Sequence, residues 1–215
     1  MDELDVFVSV GGTSNEQQEL FVRSVENRLR AEGLIPHTVG RNTFSSDAPL
    51  KTVTKLLDKC AGTVVIALER TYFVSGIEKR GGPKESILND TKLPTPWNQI
   101  EAAMSYARGL PLMVIVEDGL KSEGLLERGY DWYVQWVKPE ATALNSIEFN
   151  GVLASWKQKM IETPKKVTQH NDIAALTITE LLGSLKPSHL WSILTALAAL
   201  IAGSFALGGK LFGGP

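Results

Sequence analysis

Short apolar runs alternate with amphipathic stretches along most of this chain. Asp5-Val6-Phe7-Val8-Ser9-Val10 reads as a central parallel strand, buried on both faces. Gly11-Gly12-Thr13-Ser14 follows, a tight turn into a helix. Ser14 with Gln17, or Thr13 with Glu16, makes a capping box. That helix carries Leu20, Phe21, Val25 and Leu29 on one face and stops at Gly33. Leu34 to Val39 predicts a shorter strand, which Pro36 places towards an edge. Leu50, Val53, Leu57 and Cys60 have helical spacing, and Thr63 to Leu68 is another buried strand. A helix starting at Thr95 would bury Ile100, Met104 and Ala107, and Leu112 to Val116 completes the set of buried strands. Strands alternating with helices predict an open parallel α/β sheet with helices on both faces.

Three stretches break the alternation. Gly40 to Pro49 is polar and reads as a loop, either plainly solvent-facing or a gate over a site. Phe73 to Leu93 has no periodicity and reads as an insertion, either a specificity loop or filler, beyond the end of a strand where such sheets bind ligands. From Gly119 to about Thr163 the pattern weakens, and one or two helices with a short edge strand are expected. The aromatic residues there, Tyr130, Trp132, Tyr133, Trp136 and Trp156, lack the interleaved basic face of a single-strand binder, so no nucleic-acid partner is predicted.

The C-terminal end differs in kind. Pro164-Lys165-Lys166 looks like a joint, and Ile173 to Leu185 is a further helix broken by Pro187. Leu190 to Gly209 holds no charged residue and is apolar all round. A helix of that length spans roughly the hydrocarbon thickness of a bilayer. Trp191 suits one interface and Lys210 the other, while Thr195, Ala199 and Gly203 form a small-residue stripe that suits helix association. The organisation expected is a domain over 1–163, a linker and juxtamembrane helix over 164–188, and a transmembrane helix over 189–212. Lysines before the span favour a cytoplasmic N-terminal domain.

Composition narrows the function. A net charge of -2 gives no global field for nucleic acid or an anionic surface. Cys60 is the single cysteine, which excludes an internal disulfide, and no signal-peptide pattern opens the chain; both fit a reducing cytosolic face. Cys60 itself reads as small core filler. His37, His170 and His189 are scattered, so no metal site is predicted.

Candidate chemistry centres on Thr95-Pro96-Trp97-Asn98-Gln99-Ile100-Glu101. Thr95 is a helix N-cap and Pro96 suits the first turn. Glu101 follows Trp97 by one helical turn, so both should project to one side at the mouth of the sheet. The other candidate is the Gly11-Gly12 turn, whose helix N-terminus suits an anion, although it lacks the dinucleotide-binding spacing.

These residues resemble a family. Asp5 to Ser9, Phe21-Val22 and the helix end at Leu29 to Gly33 resemble the opening of Toll/interleukin receptor (TIR) domains. Val64 to Leu68 followed by Tyr72 is similar to their third-strand region. Thr95-x-Trp97-Asn98-x-x-Glu101 is similar to their S-x-W-C-x-x-E, with Thr for Ser and Asn for Cys. The Gly-Gly turn and the insertion before Thr95 depart from TIR domains and resemble nucleoside 2-deoxyribosyltransferase-like relatives. The resemblance covers about Asp2 to Glu117. It implies a flavodoxin-like sheet, nucleotide handling and chemistry at an N-glycosidic bond. Glu101 would be the catalytic carboxylate, Trp97 a pocket wall, and Ser9, Gly11, Gly12, Thr13 and Tyr72 ligand-binding residues. NAD would be a substrate, and no resident cofactor is expected.

Three functions follow from the resemblance and the tail. One is a membrane-anchored effector that cleaves NAD when assembled as a homo-oligomer, in a prokaryotic defence role. A second is a non-enzymatic sensor that binds a nucleotide signal, oligomerises and perturbs the bilayer through its tail. A third is a nucleoside or deoxynucleotide hydrolase or transferase.

Overall fold

The computed structural model describes residues 3–162. Five strands form one parallel sheet: β1 (Leu4–Val10), β2 (Leu34–His37), β3 (Gly62–Ala67), β6 (Leu112–Glu117) and β7 (Tyr133–Val137), in the order β2-β1-β3-β6-β7. Two further strands, β4 (Thr71–Glu78) and β5 (Ser86–Leu93), pair only with each other. Setting that hairpin aside, the order is the doubly wound one in which the chain reverses direction across the sheet between β1 and β3. Pro36 lies on an edge strand, as its missing N–H requires.

Among the described residues four helices cover the sheet. On one face, α1 (Glu16–Ala31) and α4 (Ile147–Glu162) pack Phe21, Val25, Leu29, Phe149, Leu153 and Trp156 against alternate residues of the strands, Val6, Val8, Val64, Ile66, Met113 and Ile115. On the other face, α2 (Pro49–Leu57) sets Val53, Leu56 and Leu57 against Phe7 and the buried Cys60. Beside it, α3 (Pro96–Ala107) lies over Val65, Ala67, Val114 and Val116.

Several expectations are corrected. The cap of α1 is Asn15, whose side chain accepts the Gln18 N–H, while Gln18 Oε1 accepts the Ser14 N–H. The capping box therefore sits one residue later than Ser14 would put it and two later than Thr13 would. Leu20 is exposed, because Phe21, Val22 and Val25 already fill the strip over the sheet. The 40–49 stretch is the largely solvent-facing loop that one reading expected, held at its start. Arg41 bridges Glu19 at 2.9 Å, and Asn42 Oδ1 and Nδ2 bond the Thr38 N–H and the Pro36 carbonyl. That Arg41 pairing holds the Glu19 carboxyl down at about 2. The 73–93 insertion is the ordered β4–β5 hairpin.

The largest correction concerns α3. Ile100 and Ala107 face solvent and Met104 is only half-buried; the buried stripe is Asn98, Glu101, Ala102 and Ser105. A mostly polar stripe faces the sheet.

Among the described residues no helix is long and apolar enough to cross a membrane. The predicted joint over 164–188 and span over 189–212 lie outside the described residues.

Candidate active site

The polar stripe of α3 meets the sheet at the C-terminal ends of β1 and β3, the rim where open α/β sheets bind ligands. Ser9 occupies the last inward position of β1 on that face, fully buried. Asn98 Nδ2 donates to Ser9 Oγ at 3.1 Å, to the Ser9 carbonyl at 3.3 Å and to the Ile66 carbonyl at 3.4 Å. One amide thus clamps α3 across β1 and β3. Asn98 Oδ1 is left buried with no hydrogen-bond partner among the described residues. Lower down, Thr63 Oγ1 donates to Ser105 Oγ at 2.9 Å, and Ser105 Oγ donates to the Glu101 carbonyl at 2.8 Å.

Glu101 is 9% exposed. Burial pushes its pKa up to about 7, and the Ser9 hydroxyl, which stabilises the ionised form, opposes the rise. The hydroxyl accepts from Asn98 at 3.1 Å, which leaves its own proton free to turn towards the Glu101 carboxyl. Replacing Ser9 with alanine removes the opposing bond. The Glu101 pKa then rises above 7, which carbon-13 NMR of the Glu101 carboxyl would follow directly.

The surrounding rim is stitched from loops. The Gly12 carbonyl accepts from Arg70 Nη1 at 3.1 Å. Glu117 Oε2 accepts the Glu69 N–H at 2.7 Å, and the buried Gln18 side chain donates to the Glu69 carbonyl at 3.1 Å. Gly11 lies so close to the α3 cap that a Cβ there would meet Thr95 Cγ2 at 2.8 Å. Its lack of a side chain allows the β1 turn and the start of α3 to touch.

The predicted site residues are therefore divided. Ser9, Gly11 and Glu101 lie with the α3 N-terminus, and Gly12 joins them through the turn. Thr13 is beside them in sequence, but its hydroxyl is spent on Glu19 at 2.9 Å. Trp97 is 41% exposed and does not share the buried side with Glu101, against expectation: a step of four residues advances about 400° around a helix, and the edge of the buried stripe of α3 falls between the two. Tyr72 is exposed on the hairpin, where its hydroxyl donates to Asp90 at 2.6 Å. Asn98, Gln18, Glu69 and Glu117 are further residues of this rim that periodicity did not single out. The signal for Asn98 was its place one turn before Glu101 on the same helix. Two surface hollows of the described domain lie elsewhere, one lined by Glu16, Leu20 and Pro139 and one by Asp118, Arg128 and Trp136.

No protein-family profile matches the chain, and no curated protein matches it in sequence. Among solved structures, a CMP N-glycosidase from Clostridium botulinum is similar over 70% of this chain and 98% of its own, with a TM-score of 0.43 and 14% identity. The TIR domains of the activated Roq1 resistosome, which recognises the pathogen effector XopQ, are similar over 91% of this chain and 99% of their own, with a TM-score of 0.36 and 12% identity.

Proposed function

We propose that this is a TIR-like domain that breaks the N-glycosidic bond of a nucleotide, with Glu101 as the group acting at the sugar. The observation that carries the reading is Glu101 itself, a buried carboxyl at the reversal point of a parallel sheet, with its pKa at about 7. At neutral pH such a group exists in both forms. Protonated, it can donate to a departing base; ionised, it can stabilise the positive sugar or attack its anomeric carbon. Water then takes the place of the base. The likeness of Thr95-x-Trp97-Asn98-x-x-Glu101 to the TIR motif makes NAD the first substrate to test. The ribose–phosphate side of the nucleotide would lie against Ser9, Gly11 and Gly12. The apolar segment Leu190 to Gly209 would tether the domain to the cytoplasmic face of a bilayer, and an effector role in prokaryotic defence suits that arrangement.

One observation favours a second reading. Trp97 and Ile100 face solvent from α3, beside a carboxyl that is almost closed off, and an apolar surface there suits association. Nucleotide binding would then drive assembly, and the tail would perturb the bilayer without turnover.

The test is base release by purified, membrane-reconstituted full-length protein given NAD and a panel of ribo- and deoxynucleotides, with and without cyclic nucleotides. Release of nicotinamide by the parent chain and its loss in Glu101→Gln supports the enzyme. Toxicity in cells that survives Glu101→Gln but not deletion of the tail supports the sensor.

A further inference from the structure

The β4–β5 hairpin has no part in the reading above. It stands off the main sheet. β5 is tied to the domain where Lys92 bridges Leu120 and its carbonyl accepts the Lys121 N–H at 2.9 Å. The outer edge of β4 has no strand beside it among the described residues. Outward-pointing N–H and C=O groups on such an edge are a template for another strand, and edges that stay unpaired are usually guarded by lysine, proline or an inward charge. Thr71 to Ile77 contains none of these. Instead Val74 is 68% exposed and Ile77 53%, with Tyr72 also in solvent.

We propose that β4 is a self-association edge, on which two copies of this chain join antiparallel about a two-fold axis at Val74, merging their hairpins into one four-stranded sheet. A second copy is the occupant because the strand is charge-complementary to itself in one register. Antiparallel pairing centred on Val74 sets Thr71 opposite Ile77, Tyr72 opposite Gly76 and Arg70 opposite Glu78, each twice by symmetry. Shifting the sum of paired positions up by one sets Arg70 opposite Lys79, and by two opposite Arg80. Shifting it down by one sets Glu69 opposite Glu78. Like charges directly opposite destabilise a sheet, so these three registers are disfavoured. Gly76 leaves room for the tyrosine ring of the other copy. Arg70 uses Nη1 on the Gly12 carbonyl, and Glu78 holds Lys121 through Oε1 at 2.7 Å, which leaves the rest of the guanidinium and the glutamate's Oε2 to meet across the pair.

Oxidative crosslinking of the full chain in detergent micelles tests this, with single cysteines introduced at exposed positions. Val74→Cys places two thiols at the axis and should give a covalent dimer. Ser75→Cys places them two residues out of register, roughly 8 Å apart and beyond the ~7 Å a disulfide can bridge, and should not. Adding Glu78→Arg to Val74→Cys should abolish the dimer band, because it sets like charges opposite each other at both ends of the pairing. Equal crosslinking at 74, at 75 and at a distant Lys159→Cys control would overturn the proposal, as would a Val74→Cys dimer that Glu78→Arg leaves intact. Because the readout needs no substrate, it stands apart from the test of Glu101.

Discussion

Above pH 7 the Glu101→Gln variant should be more stable than the parent chain, by about 3 kcal/mol. The folded state holds the Glu101 proton up to about 7, whereas an unfolded chain releases it near 4.5. Between those values the folded protein binds more protons than the unfolded one. Stability therefore falls as pH rises through that window, and the loss is complete above it. There the parent must keep a carboxylate out of water, a cost that one hydroxyl only partly offsets. A glutamine amide has the same shape, carries no charge, and can still accept from Ser9. Its stability should be flat across the window, and the two proteins should converge at low pH. Urea denaturation of both across this range measures the gap. Parallel curves would mean that the carboxyl is already ionised and hydrated, and the site would lose its main claim to chemistry. The same substitution is expected to end base release. A residue that costs stability in place and is needed for turnover is the pattern of a site selected for function.

Gly62→Ala is expected to destabilise the domain by about 1–3 kcal/mol, for a steric reason. Gly62 opens β3 where α4 crosses it. A Cβ built there would lie 2.5 Å from Met160 Sδ, 2.9 Å from Met160 Cγ and 3.0 Å from Trp156 Cζ2. The methionine can bend away, but Trp156 is held, since its Nε1 donates to the Pro111 carbonyl at 2.9 Å. The added methyl must therefore push α4 outward or strain β3. Shortening Met160 to alanine should recover part of the loss, so the double variant should be less damaged than the sum of the single changes. Thermal unfolding of the four proteins settles it. Strict additivity would mean that the two groups never meet.

The strands were legible because a parallel strand with helices on both sides has to be apolar on both sides, and Val64-Val65-Ile66 and Leu112 to Val116 are. The hairpin was not legible. β4 and β5 leave most side chains in solvent on either face, so no alternation marks them. The rotation of α3 was read backwards for a related reason. Periodicity turns Ile100 and Met104 inward, but contacts far along the chain turn the helix the other way. Gln99 exchanges two hydrogen bonds with the 123–125 turn, Arg108 bonds Asp58, and Tyr106 sets its ring edge-on to Trp132. The small side chains of Ala102 and Ser105 then let the helix sit close to the sheet.

By itself, then, the sequence determined the alternating strands and helices, the edge placement of Pro36 and the spacing that singles out Glu101. Hydrophobic periodicity and the backbone rules for proline act locally, so they can be read locally. Only the tertiary structure decided which side of α3 is buried. It thereby brought Asn98 and Glu101 onto Ser9, 89 residues away from Asn98 in the chain. A helix carries two candidate faces, and the choice between them is made by what the rest of the molecule packs against each.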